Sequence, residues 1–155
     1  MSSPDGLARP RRPESVLVVI YTQALQFLLL ERVSPAGFWQ SVTGSLEWDE
    51  APLDAARREV GEETGLSTAT LCDTHSAQSF PILPAWRDRY AAGVTTNLEH
   101  VFHLPLPDVT PITLNAEEHS RCEWLSLEAA LERVTSWTNR DAIAAIAPAG
   151  QTPPQ

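Results

Sequence analysis

Cysteine is scarce: Cys72 and Cys122 are the only two in the chain, and they lie in no CxxC or zinc-like spacing. That excludes a disulfide-stapled secreted scaffold and a zinc finger, and free thiols favour a reducing compartment. Long apolar runs are missing as well. The longest, Val16–Tyr21 and Phe27–Leu30, are strand-sized and fall well short of the roughly 20 residues a membrane-spanning helix needs. Arg11 and Arg12 are not followed by an apolar run of the secretory kind, so no signal peptide is read. Positive charge is in deficit, with 11 basic against 20 acidic residues and a net charge of -9. No basic stripe is offered to nucleic acid, and a free polyphosphate would be repelled unless a cation reverses the local field. The chain is therefore expected in the cytoplasm, with neither nucleic acid nor membrane as partner.

What is present suffices for one globular unit. At 155 residues and 43% hydrophobic content, a single domain with a real core is expected over residues 14–147. The stretches 1–13 and 148–155, rich in Ser, Pro, Gly or Arg, are expected to be mobile. Val16–Tyr21 and Phe27–Arg32 read as strands buried on both faces. Ala69–Phe80, Leu98–Leu104 and the short Glu123–Leu125 read as further strands. Helices are expected over Pro52–Thr64, Leu127–Val134 and Ser136–Ile146. Strands interleaved with helices give an α/β or α+β class.

The chain is organised around Gly44–Leu66, GSLEWDEAPLDAARREVGEETGL. Pro52 suits a first helical turn, Gly65 a C-terminal stop, and Leu53, Ala56 and Val60 form an apolar face. Glu59, Glu62 and Glu63 stand at i, i+3 and i+4 and are neighbours on the helix surface. They repel one another, and at the C-terminal half the helix dipole disfavours them too. A solvated acidic face with Arg57 and Arg58 in partial balance would explain a lone run of this kind. A compensating cation explains it better here, and hard oxygen ligands suit Mg²⁺ or Mn²⁺.

Gly44, Glu50 and the run Arg58-Glu59-Val60-Gly61-Glu62-Glu63-Thr64-Gly65-Leu66 resemble the Nudix box at every defined position. The resemblance to Nudix hydrolases implies hydrolysis of a nucleoside-diphosphate-like linkage and an α/β/α sandwich with a mixed sheet. It also implies Mg²⁺, with Mn²⁺ as a substitute, held by Glu59, Glu62 and Glu63. Glu50 and Arg58 would orient and balance those carboxylates, and Glu59 or Glu63 would take the proton of the attacking water. One departure is Trp48-Asp49, where many relatives carry a Gly before the Glu.

Outside the box, VLVVIYTQ, FWQSVTGSLE, DRYAAGVTTNLEH, EEHSRCEWL and SWTNRDAI are similar to one Nudix group, the bacterial dihydroneopterin triphosphate diphosphatases. This likeness implies a small-molecule triphosphate substrate and Glu118 as a further metal ligand, with Glu117 beside it as an alternative. It implies substrate contacts from Arg11, Arg32, Thr43, the Phe80-Pro81-Ile82-Leu83 segment and Ser136. Each has an ordinary alternative: solvated arginines, a strand-end threonine, core packing, and a helix N-cap for Ser136. Trp39, Trp86, Trp124 and Trp137 are assigned to the core, and His75, His100, His103 and His119 receive no role. Two rival readings stay open. One is a Nudix enzyme acting on another nucleoside triphosphate, such as a damaged one; the other is a non-catalytic nucleotide-binding module.

Overall fold

The computed structural model describes residues 9–146; positions 1–8 and 147–155, including most of the termini expected to be mobile, lie outside it. Strand β1 (Glu14–Thr22) forms the spine of a mixed seven-stranded sheet. A tight turn joins it to β2 (Gln26–Arg32), where Tyr21 pairs with Phe27. Short strands β3 (Trp39–Gln40) and β4 (Val42–Ser45) follow, β3 on the edge of β2 and β4 antiparallel to the first half of β1. Helix α1 spans Pro52–Thr64 and ends at Gly65, whose φ of 72° is the left-handed cap conformation that glycine adopts without strain. Strands β5 (Cys72–Pro81) and β6 (Thr96–Leu106) pair antiparallel, and β6 runs parallel to β1 along its whole length. The chain closes with β7 (His119–Ser126) beside β2, then α2 (Leu127–Arg133) and α3 (Trp137–Ala144).

Strand periodicity of two decides which residues meet which helix. Val16, Val18 and Ile20, with Phe102 and Leu104, turn to one face and pack on Ala55, Ala56 and Val60 of α1. Leu17, Val19 and Val101, with Phe27 and Leu29, turn to the other and meet Ala130, Ala142 and Ile143 of α2 and α3. The near-continuous apolar sequence of β1 follows from this double burial. Each fully buried Val, Leu or Phe contributes roughly 1.5–3 kcal/mol to holding the layers together.

Several expected elements differ in extent. The last strand is eight residues long rather than three, because its N-terminal half, His119–Cys122, gains strandedness from pairing with β2 and not from its own polar sequence. A 3-10 helix over Pro84–Arg89, opened by a proline and lacking apolar periodicity, went unanticipated. Residues 10–13, placed outside the folded unit by composition, are tied down. The Arg11 amide donates to Arg89 O at 2.7 Å. Arg12 Nη1 donates to the carbonyls of Glu47, Trp48 and Glu50 at 2.9–3.1 Å, and Trp48 Nε1 donates to Pro10 O. The Trp48-Asp49 departure from the usual glycine is thus accommodated by an arginine clamp on the loop carbonyls.

Candidate active site

Helix α1 sets the geometry, since positions i and i+4 stack on one face. That face directs Glu59 and Glu63 inward, with Glu63 only 1% exposed. Gly44 makes room for them: a Cβ at that position would overlap the Glu59 carboxyl. Arg58 braces the pair from outside. Its Nε and Nη2 grip the two Glu50 oxygens at 2.8 Å each, and Nη1 lies 2.8 Å from Glu59 Oε1. This is the bidentate fork that arginine makes with a carboxylate and lysine cannot. Glu62, about half exposed, stays at the rim 3.4 Å from Arg58.

From the opposite side the turn before β7 brings in Glu118 and His119. Asn115 shapes that turn, its carbonyl accepting from the Glu118 and His119 amides and its side chain from the Glu117 amide. Ligand atoms of Glu63, Glu118 and His119 lie within 4.8 Å of one another. His119 Nε2 is 3.6 Å from Glu63 and 3.4 Å from the Gln40 amide. The assignment of no role to His119 is therefore corrected: it is buried inside the carboxylate cluster. The signal available was its place next to Glu118, whereas His–metal spacing along the chain showed nothing.

The electrostatics of the cluster are dominated by burial. Burial, then the Glu59 carboxyl beside it, pushes Glu63 well above the ordinary carboxylate range; burial raises Glu59 too. Burial also depresses His119 to about 4, with Arg32 adding to the effect, so the imidazole is neutral at pH 7. Both Glu63 oxygens and His119 Nδ1 are buried without a hydrogen-bond partner. Such orphaned acceptors are costly, and a carboxylate cluster of this kind fits a hard divalent cation.

The cluster opens into a cleft of 950 Å³. Every position expected to touch substrate lines it: Arg11, Arg32, Thr43, Phe80, Pro81, Ile82, Leu83 and Ser136. Glu117 and Glu118 both reach it; Glu50, Arg58 and Glu62 do not. Ser136 lines the cleft and also caps α3, accepting from the Asn139 amide at 3.1 Å, so both of its readings hold. Arg32 lies 5.3 Å from the Trp86 ring centroid and 5.9 Å from that of Phe38, an aromatic bracket that holds its guanidinium at the cleft wall. Two tryptophans assigned to the core belong here instead. Trp86 and Trp137 line the cleft, and Trp137 is 52% exposed, while Trp39 is buried as expected. Asn97, Glu99 and Asn139 also line it; they lie in the family-like segments DRYAAGVTTNLEH and SWTNRDAI, but nothing local in those segments singles them out.

A family model for the NUDIX domain matches residues 11–146. The chain belongs to the Nudix family. It is 44% identical over 138 residues to the dihydroneopterin triphosphate diphosphatase of Escherichia coli K12, covering 86% of this chain and 91% of that protein. The enzyme of the same name from Haemophilus influenzae is 38% identical over 136 residues, covering 84% of each chain. The solved structure of the E. coli dihydroneopterin triphosphate pyrophosphohydrolase superposes with a TM-score of 0.83 at 42% identity, covering 88% of this chain and 96% of that one. As a Nudix hydrolase the chain acts on a phosphorus-containing anhydride. Among the described residues no helix is long and apolar enough to cross a membrane.

Proposed function

We propose that this Nudix hydrolase converts dihydroneopterin triphosphate and water to dihydroneopterin monophosphate and pyrophosphate, a step of folate biosynthesis. The observation that carries the reading is one cleft lined both by Glu59 and Glu63 of the box and by the aromatic-apolar wall of Phe80, Ile82, Leu83 and Trp86. The names of relatives at 44% and 38% identity support it. A cytoplasmic location accords with the unpaired Cys72 and Cys122.

Glu59, Glu62, Glu63 and Glu118 would hold the divalent cation, Mg²⁺ or Mn²⁺ in its place, with His119 against Glu63. When bound, the cation supplies charge neutralisation on the phosphate oxygens and a lowered pKa for the attacking water. Glu50 and Arg58 fix the Glu59 carboxyl, so its orientation costs no rearrangement during the reaction. The Arg11 and Arg32 guanidiniums meet the triphosphate; every one of the chain's 11 basic residues is arginine, suited to paired contacts with phosphate oxygens. Thr43 lines the cleft, and Ser136 presents its hydroxyl at the start of α3. The flat heterocycle lies against Phe80, Ile82 and Trp86. A water oxygen attacks phosphorus, the bond to pyrophosphate breaks, and the water's proton passes to the Glu59/Glu63 pair.

The test is pyrophosphate release with Mg²⁺ from dihydroneopterin triphosphate, GTP, dATP and an oxidised dGTP at equal concentration. A clear kcat/KM preference for the pterin supports the reading. Preference for a nucleotide keeps the Nudix chemistry and overturns the substrate.

A further inference from the structure

On another wall of the same cleft, β6 presents two acceptors that the chemistry above does not use. Asn97 and Glu99 are two residues apart on one strand, so their side chains share a face, about 7 Å apart along it. Both line the cleft, and they are only 3% and 5% exposed. Asn97 Nδ2 donates to Ser15 Oγ at 2.8 Å, which leaves Asn97 Oδ1 turned away from that contact. Asn97 Oδ1 and Glu99 Oε1 are both buried without a hydrogen-bond partner. No arginine or lysine forms an ion pair with Glu99 among the described residues. Burial, eased in part by the Thr138 hydroxyl, pushes Glu99 up to about 7. Phe80 is the β5 partner of Asn97, and Ser15 is the β1 partner of Glu99, so an aromatic ring and a hydroxyl flank the pair.

A buried carboxylate and a buried amide oxygen, both lacking donors, form a surface that selects for N–H groups. Leaving buried acceptors unpaired is costly, and a ligand with donors removes that cost. We infer that Asn97 and Glu99 are specificity-determining residues that read the hydrogen-bond donor edge of a fused 2-amino-4-oxo-pyrimidine ring. The Glu99 carboxylate accepts from the ring N–H and the exocyclic amino group as a fork, and Asn97 Oδ1 accepts from a further donor. The geometry disfavours a second metal here, because one carboxylate and one amide provide too few hard, charged ligands. This inference rests on the reading of the cleft as the site of a heterocycle-bearing triphosphate.

The experiment is calorimetric Kd, with Ca²⁺ in place of Mg²⁺ to hold turnover down, for dihydroneopterin triphosphate, GTP and ITP. GTP and ITP differ only in the 2-amino group. The wild-type protein is expected to bind GTP at least about tenfold more tightly than ITP. Glu99→Gln turns an amide donor toward the donor edge and is expected to bring that ratio close to one, while weakening dihydroneopterin triphosphate by about 10²-fold. Asn97→Ala changes no charge and carries the test if Glu99→Gln fails to fold; it should also reduce the ratio. Equal affinities for GTP and ITP in the wild type, or a ratio that survives both substitutions, overturns the inference. The outcomes separate from those of the proposed function. A pterin-specific enzyme with a GTP/ITP ratio of one loses only this inference, and a nucleotide-specific enzyme with a high ratio loses only the pterin.

Discussion

Two groups of residues in the cleft, the α1 cluster and the β6 pair, share one feature and differ in what it asks for. Each has buried acceptor oxygens without donors: those of Glu63 in the cluster, those of Asn97 and Glu99 in the pair. In the cluster three acidic or imidazole groups crowd within 4.8 Å, with Glu59 and Glu62 on the same helix. That density of negative charge is relieved by a divalent cation and by little else. In the β6 pair a single carboxylate stands with a neutral amide on a strand, and N–H donors suffice. An unsatisfied buried acceptor is therefore informative only together with the charge around it.

The contrast breaks most completely at the α1 cluster. Glu63→Gln keeps the volume and removes the charge, and turnover is expected to fall by roughly 10²–10⁴-fold. The fold should survive, because burial already holds Glu63 toward its neutral form in the metal-free protein and Gln keeps that shape without charge. Pyrophosphate release together with thermal melting checks both parts, and near-normal turnover would remove Glu63 from the site. In the same melts, saturating Mg²⁺ should raise the wild-type Tm by about 5–10 °C and leave Glu63→Gln nearly unmoved.

Gly44→Ala comes next. Its Cβ would occupy the space of the Glu59 carboxyl, and displacing that group by about an ångström is expected to cost roughly 10²-fold in kcat. Activity equal to wild type would show that Glu59 can be held elsewhere.

The β6 pair is sharpened by pH. The unfolded chain ionises Glu99 near 4.5 and the folded chain only near 7, so between those values the folded protein binds the extra proton. Stability from this group is full below about pH 4.5 and is lost as pH rises through 7, by about 3 kcal/mol once Glu99 is charged. Glu99→Gln lacks that loss. Urea unfolding of both proteins at pH 5 and pH 8 should show the variant gaining on wild type at the higher pH. A gap independent of pH would mean an ordinary carboxylate there.

The smallest effect is expected from Arg58→Lys. It loses the fork on Glu50 while keeping the charge, for about 1.5–3 kcal/mol of stability. Denaturant midpoints measure the stability change. A fall in kcat with KM unchanged would place the effect on Glu59 rather than on substrate binding.

Some parts of this molecule were open to reading from the chain and others were closed. Helix α1 was legible to the residue, because Pro52, the apolar spacing and Gly65 are local signals that agree with one another. Strands β1 and β2 were legible because double burial leaves continuous apolar runs. The glutamates and the positions lining the cleft came from a motif whose order along the chain is its evidence. The 3-10 helix over residues 84–89 was illegible, since a short turn of mixed residues has neither periodicity nor caps to announce it. So was the length of β7, which its partner strand supplies.

By itself, then, the sequence determined the box helix, the alternating core and the carboxylates, because each is encoded by spacing within a few residues. Only the tertiary structure decided that His119 joins Glu63, that Arg12 clamps the box loop, and that Trp86 and Trp137 face the cleft. It alone buried Asn97 and Glu99 without donors. Those facts depend on groups far apart in sequence meeting in space, and on which side of a strand or helix is covered by another element. Burial of that kind belongs to no residue until the layers have closed over it.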